Sequence, residues 1–306
     1  MSFRDQSALA IAVYNLNKTV SDKKILNGVD IEIPFGSITG FVGPNGAGKT
    51  TTMKALLALT STDGGYGEIN GIDFKYPEKY LRHVGALIET PAFYPQLSGR
   101  ANIEICAKLA NLSNQSISQL LSVVGLSGAE DKAFSEYSLG MKQKLGIAAS
   151  LIKNPEILIL DEPVNGLDPE AVVGIRKILE ELRDRGSAIL ISSHLLAELE
   201  LISDRFLFID HGEITFSGTK SELRASGVQK IIVRPEYVAD LQYLATKLIE
   251  EKFQVDLCET YIEVAMSKNN VAEVPADLNR KINSWGMWLN ELSIKTQSLE
   301  ERFFST

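Results

Sequence analysis

The chain has 306 residues, with 31 Lys and Arg against 39 Asp and Glu, so its formal net charge is −8. With 44% hydrophobic and 23% charged residues it has the composition of a folded globular protein, and its acidic balance disfavours a nucleic-acid partner while leaving room for a nucleotide site. No apolar run reaches the roughly 18–20 residues of a membrane helix, and the first ten residues lack the apolar core of a signal peptide, so we expect a cytoplasmic protein without direct membrane insertion.

The apolar pattern predicts alternating strands and helices over the first two thirds of the chain. Strands are expected at 9–14, 29–33, 38–42, 68–70, 157–160 and 188–192. Helices are expected at 49–59, over most of 100–152, and at 169–185. Two further strands, 206–209 and 213–216, flank a turn and predict a hairpin. This order favours a parallel α/β sheet.

The pattern changes after residue 227. The expected order there is strand 231–234, helix 236–251, strands 254–259 and 261–266, a helix, and strand 287–295. This βαββαβ order suggests a small ferredoxin-like α+β module. The sequence therefore predicts two domains, residues 1–227 and 228–306.

A glycine-rich loop with the pattern GxxxxGKT lies between a predicted strand and a predicted helix. Its glycines can turn successive backbone N–H groups inward, which makes an anion site at the positive end of the helix. Lys49 supplies a full charge for the terminal phosphates, and the hydroxyl of Thr50 can ligate Mg²⁺. The candidate nucleotide-binding residues are Gly43, Pro44, Asn45, Gly46, Ala47, Gly48, Lys49, Thr50 and Thr51.

Two acidic residues follow a run of four aliphatic residues at 157–160. The run indicates a buried strand, and ligands of an open α/β sheet bind at the carboxyl ends of its strands. Asp161 is therefore a candidate Mg²⁺ ligand. Glu162 is the candidate general base for an attacking water, a role worth about 10²- to 10⁴-fold in rate.

Three more motifs complete an ordered set: YSLGMKQ at 137–143, NGLD at 165–168, and His194. Together with the two phosphate motifs, they resemble the ATP-binding cassette of ABC transporters over roughly residues 8–225. The resemblance implies an ABC-type P-loop NTPase fold: a RecA-like parallel core, an antiparallel β subdomain, and a helical subdomain at about 90–152.

The resemblance also implies how the site works. Two copies would form a head-to-tail dimer that sandwiches two ATP molecules, with Ser138 and Gly140 of one copy facing the nucleotide held by the other. His194 would contact the γ-phosphate and act in catalysis together with Lys49 and Glu162. Asp168 would help communication across the dimer. ATP and Mg²⁺ are the expected cofactors.

The chain departs from the usual family pattern at three positions. Leu139 replaces the first glycine of the segment usually written LSGGQ. Glu89 stands where a glutamine normally links Mg²⁺ and the attacking water to the membrane partner, so it is a candidate metal ligand that would depend on Mg²⁺ for charge compensation. The alternative for Glu89 is a solvated loop acid. Val20 occupies the position of the aromatic residue that stacks on adenine, and Tyr14 is a poor substitute.

Glu89 and the stretch from 137 resemble the cassette ATPases of bacitracin-type and lantibiotic self-protection exporters, and the closing run SLEERFF at 298–304 resembles drug-export cassettes. We therefore expect an ATPase subunit of a peptide-antibiotic exporter, held at the inner face of the membrane by separately encoded permease subunits that would dock near loop 91–99. The alternatives are a multidrug or other ABC-2-type exporter, an importer, and a soluble cassette ATPase acting on ribosomes or DNA.

Overall fold

A computed structural model of the chain describes residues 8–89, 91–112, 117–194, 196–225, 229–265 and 274–296. The chain divides into two compact units, Met1–Lys220 and Ser221–Thr306. The division falls at residue 220, whereas the sequence predicted 227. The closing run at 298–304 lies outside the described residues.

The strands and helices of the first unit follow each other along the chain in the predicted alternation. The strands are β1 (Leu9–Val20), β2 (Lys23–Pro34), β3 (Ile38–Val42), β4 (Gly64–Ile69), β5 (Ile72–Asp73), β6 (Val84–Leu87), β7 (Ile157–Leu160), β8 (Ala188–Ser193), β9 (Arg205–Asp210) and β10 (Glu213–Thr219). The helices are α1 (Lys49–Leu56), α2 (Pro77–Tyr80), α3 (Gly99–Leu109), α4 (Ile117–Val123), α5 (Leu139–Leu151), α6 (Pro169–Asp184) and α7 (Leu196–Ile202), and α8 (Lys220–Ala225) crosses into the second unit.

Within the described residues, six strands form the central sheet in the order β10-β9-β3-β8-β7-β6. All neighbours are parallel except the β9–β10 hairpin, which is antiparallel as predicted. Every residue of β3, β7 and β8 is buried. Strands buried on both faces read as continuous apolar runs, which is why the sequence located β3 and β7 to the residue.

The described part of the first unit also contains an antiparallel sheet of four strands, ordered β2-β1-β4-β5. Strands β1 and β2 alternate between buried and exposed residues, so one face packs on the core. Both run further than predicted, to a tight turn in which Ser21 and Asp22 take left-handed backbone angles. The predicted antiparallel β subdomain is therefore confirmed.

The segment between β6 and β7 is mostly helical, as predicted. Two of its helices begin at a serine: the hydroxyl of Ser98 accepts from the N–H of Ala101 at the start of α3, and that of Ser138 accepts from the N–H of Met141 at the start of α5. Such caps satisfy backbone donors that the first helical turn leaves unpaired. Strands β5 and β6 and helices α2, α7 and α8 were not predicted.

The second unit has the predicted βαββαβ order. Its elements are β11 (Gln229–Pro235), α9 (Leu241–Glu250), β12 (Val255–Leu257), β13 (Ile262–Ala265), α10 (Val274–Ser284) and β14 (Leu289–Thr296). In residues 229–265 and 274–296 the four strands form one antiparallel sheet, ordered β12-β13-β11-β14. Residues of α9 and α10 bury their apolar side against β11 and β13, which gives this unit its own core. The ferredoxin-like prediction is confirmed.

Candidate ATP-binding site

The glycine-rich loop connects β3 to α1 at the carboxyl end of the central sheet. Gly46 and Gly48 have positive φ angles of 84° and 114°, which residues with a side chain rarely adopt. Gly43 lies so close to β9 that a Cβ atom there would sit 2.4 Å from the carbonyl oxygen of Ile209. These glycines are therefore required by the backbone path, and the loop ends at the N-terminus of α1, where an anion is favoured.

Lys49 is buried at the base of this loop. Its Nζ donates to the carbonyl oxygens of Gly43 (2.7 Å) and Pro44 (3.2 Å), so the side chain folds back over the loop. Burial lowers the pKa of Lys49, and the negative charges of Glu162 and Asp161 oppose that shift. A triphosphate would supply further negative charge at this position and stabilise the ammonium form.

Asp161 follows β7 directly and is buried. Both of its carboxylate oxygens accept hydrogen bonds: Oδ2 from the hydroxyl of Thr50 (2.9 Å) and Oδ1 from the hydroxyl of Ser192 (2.6 Å). Thr50 thus brings the phosphate loop and the acidic pair together, as the sequence predicted. A hydroxyl and a carboxylate oxygen are ligands that Mg²⁺ prefers, usually alongside substrate phosphates.

Glu162 has a left-handed backbone, with φ of 46°. Its N–H donates to Ser192 Oγ (2.9 Å), and its Oε2 accepts from Asn165 Nδ2 (2.8 Å) and lies 3.1 Å from His194 Nδ1. Because a carboxylate only accepts, Nδ1 carries the proton in that contact. The structure therefore joins Glu162 and His194, which the sequence had placed 32 residues apart.

The residues expected to face a second copy are bonded locally in the single chain. Ser138 caps α5, and the carboxylate of Asp168 caps α6 by accepting from the N–H of Ala171 (2.8 Å). A Cβ atom on Gly140 would meet the Cβ of Ala171 at 2.8 Å, so the two helix starts pack together. Leu139 is 46% exposed beside them.

Glu89 follows β6 and forms an ion pair with Lys54 of α1, with 2.5 Å between Nζ and Oε1. The negative charge that we expected Mg²⁺ to compensate has a partner within the chain. Val20 is 50% exposed at the end of β1. Tyr14 donates its hydroxyl to Glu32 (2.6 Å) and its ring lies 5.8 Å from that of Tyr66, so its contacts are within the β subdomain.

Sequence reasoning missed three residues that the structure brings to this site: Ser192, Asn165 and Lys54. Ser192 had a usable signal, because it is a hydroxyl residue at the carboxyl end of an apolar strand. Asn165 lay within a quoted motif but had no role assigned. Lys54 gave no signal, since a lysine on a helix is ordinarily a solvated residue.

Comparisons with known proteins bear on this geometry. Residues 26–165 match the family model described as ABC transporter. The chain is 36% identical over 299 residues to the bacitracin transport ATP-binding protein BcrA of Enterococcus faecalis, covering 96% of this chain and 94% of that protein. The chain belongs to the ABC transporter ATP-binding family.

Two further similarities support this assignment. The lantibiotic transport ATP-binding protein SrtF of Streptococcus pyogenes is 41% identical over 204 residues, which cover 67% of this chain and 88% of that protein. A solved structure described as the ATP binding subunit of an ABC transporter superposes with a TM-score of 0.62 at 29% identity, covering 70% of this chain and 92% of the other.

Membership confirms the predicted fold, ATP as ligand, and ATP hydrolysis coupled to transport as the activity of this ABC ATPase. Helices long and apolar enough to cross a membrane do not occur in the part of the chain that the structure describes.

Proposed function

We propose that this ABC ATPase hydrolyses MgATP to drive export of peptide antibiotics of the bacitracin or lantibiotic type. The observation that carries the proposal is the hydrogen-bonded chain from Thr50 through Asp161 and Ser192 to Glu162 and His194, in a protein similar along nearly its whole length to a bacitracin transport ATP-binding protein.

Backbone N–H groups of residues 45–51 and the ammonium group of Lys49 bind the phosphates of ATP. Mg²⁺, when bound, neutralises charge on the β- and γ-phosphate oxygens, and Thr50 and Asp161 are its proposed protein ligands. Among the described residues, no three His, Cys, Asp or Glu side chains cluster as a metal site. Thr50 and Asp161 would hold the metal together with phosphate oxygens of the nucleotide, the kind of ligand set that Mg²⁺ usually takes.

Glu162 acts as the general base. Its carboxylate accepts a hydrogen bond from the attacking water, and takes the proton as the water oxygen bonds to the γ-phosphorus and the bond to the β–γ bridging oxygen breaks. His194 and Asn165 hold that carboxylate in place through Oε2. In the proposal, His194 also contacts the γ-phosphate.

The active form is a head-to-tail dimer. Ser138 is exposed at the beginning of α5, beside buried Gly140, and in the proposed dimer its hydroxyl and the positive end of the helix reach the γ-phosphate held by a second copy. ATP bridges the two copies through that phosphate and ADP does not. Asp168 caps the adjacent α6, whose Ala171 packs against Gly140, and it is the residue proposed to communicate across the dimer.

Transport requires separately encoded permease subunits, which hold the dimer at the inner face of the membrane. Loop 91–99 is the proposed docking surface, and exposed Tyr94 and Leu97 on it are suited to an apolar contact. Glu89, immediately before this loop, links the nucleotide site to it. Glu89 would be a third residue able to hold the metal, in place of its ion pair with Lys54.

Glu162→Gln tests the catalytic assignment. The amide cannot accept a proton from water, so we expect turnover to fall at least about 100-fold while ATP binding persists and a dimer accumulates with ATP. The measurements are phosphate release and size-exclusion chromatography with MgATP. Glu78→Gln, which removes the same charge from an exposed residue of α2, is the matched control. Near-normal turnover in Glu162→Gln would reject Glu162 as the base.

Drug susceptibility tests the transport assignment. Cells expressing the chain with its permease should resist bacitracin or a lantibiotic, and the Glu162→Gln variant should abolish that resistance. Resistance to a hydrophobic non-peptide drug alone would redirect the assignment to a multidrug exporter. Unchanged susceptibility to every drug would reject export of these compounds.

A further inference from the structure

The hydroxyl of Ser192 makes hydrogen bonds to both members of the acidic pair. Ser192 lies near the end of β8 and is fully buried. It donates to Asp161 Oδ1 at 2.6 Å and accepts from the N–H of Glu162 at 2.9 Å. One hydroxyl therefore contacts the proposed metal ligand and the backbone of the proposed base at the same time.

Strand pairing puts the hydroxyl in this position. Strands β7 and β8 are parallel, and Leu160 pairs with Ile191. Asp161 follows Leu160 and Ser192 follows Ile191, so the two side chains lie next to each other at the carboxyl edge of the sheet. Since β3 lies on the other side of β8, the same edge also carries the phosphate loop. Ser192 thus lies where three elements of the site converge.

The two hydrogen bonds have different consequences. The bond to Oδ1 fixes the orientation of the Asp161 carboxylate and leaves Oδ2 for Thr50 and the metal. The bond from the N–H of Glu162 stabilises a left-handed backbone that a glutamate rarely adopts. That backbone angle directs the Glu162 carboxylate toward His194 and Asn165.

We propose that Ser192 is a positioning residue for ATP hydrolysis, one that orients Asp161 for the metal and Glu162 for the attacking water. The inference rests on the proposed function, in which those two residues are the metal ligand and the base. Ser192 is buried, and its hydroxyl bonds to Asp161 and to the backbone of Glu162, so it would act through those two residues. Its removal should therefore change metal use and turnover while ATP affinity without metal is retained.

Ser192→Ala removes both hydrogen bonds and adds no bulk. Loss of a residue that orients metal ligands typically lowers affinity or activity about 10- to 100-fold, so we expect kcat to fall in that range with KM for ATP changed less than about twofold. A fluorescent ATP analogue gives a second readout: Mg²⁺ should tighten its binding about tenfold less than in the parent protein.

Two variants separate positioning from structural support. Ser192→Thr keeps the hydroxyl, so its kcat should stay close to that of the parent protein. If the extra methyl group of threonine prevents folding, Ser192→Cys is the variant to use instead. Its thiol has a similar volume but is a weak donor, so its kcat should be as low as that of Ser192→Ala. Ser150→Ala removes another buried hydroxyl, one that donates to the carbonyl of Ile147 within its own helix, and should retain parental kcat and metal dependence.

The Glu162→Gln background separates failure of this inference from failure of the proposed function. There, adding Ser192→Ala should lower kcat no further but should still weaken the effect of Mg²⁺ on nucleotide binding. If Glu162→Gln alone turns over normally, the base assignment fails. If Glu162→Gln behaves as expected but Ser192→Ala keeps parental kcat and metal dependence, or lowers only thermal stability, the positioning role of Ser192 is wrong.

Discussion

Replacing Glu89 with alanine should uncouple transport from hydrolysis. The substitution also removes the ion pair between Lys54 and Glu89, and the structure indicates how much stability that costs. Lys54 Nζ lies 2.5 Å from Glu89 Oε1, but the two side chains are 35% and 64% exposed. Pairs this exposed contribute about 0–1 kcal/mol, since solvent and salt screen them. Loss of the pair should therefore change the free energy of unfolding by less than about 1 kcal/mol. Basal ATPase activity should fall only modestly.

Protection against the drug should fall much further than that. Glu89 precedes loop 91–99, so in the proposed function its removal breaks the link to the permease. The measurements are thermal unfolding, basal phosphate release and drug susceptibility on the same variants. Lys54→Met removes only the partner charge, and Glu89→Gln keeps the shape without the charge.

These two controls separate the ion pair from the link to the permease. If the ion pair is the important feature, Lys54→Met and Glu89→Gln should both reproduce Glu89→Ala. If the shape of the side chain at position 89, rather than its charge, provides the link to the permease, Glu89→Gln should retain protection against the drug. Equal losses of ATPase activity and protection in Glu89→Ala would refute the coupling argument and assign Glu89 to catalysis.

Two further predictions follow from packing. Gly43→Ala would place a Cβ atom 2.4 Å from the backbone oxygen of Ile209, which cannot rotate away, so the phosphate loop must shift. If the overpacking cost of about 1–3 kcal/mol is expressed in binding, ATP affinity should fall about 5- to 150-fold, and unchanged binding in a nucleotide titration would contradict this. Burial raises the pKa of Tyr80 to about 12. Because the folded protein holds the phenolic proton more tightly than the unfolded chain, stability should fall as pH rises from about 10 to about 12, and denaturant unfolding of Tyr80→Phe should show a smaller fall. Identical pH profiles would show that Tyr80 does not contribute.

The sequence alone determined the features that depend on neighbouring residues. Strands β3 and β7 were predicted to the residue because burial on both faces makes them uninterrupted apolar runs. The phosphate loop was predicted because its glycines, lysine and threonine must stand at fixed spacing to turn N–H groups inward. The order of the remaining motifs then gave the family resemblance, which the comparisons confirmed.

Tertiary structure decided which distant side chains meet. Strand β6 escaped prediction because it is short and contains Gly85, yet a Cβ atom there would lie 2.1 Å from the carbonyl oxygen of Ser150, so glycine is what lets β6 pack on α5. The partners of Asp161 and Glu89 lie 31 and 35 residues away, on β8 and α1. These contacts form because the parallel strands bring their carboxyl ends to one edge of the sheet, and no local pattern of residue types encodes them.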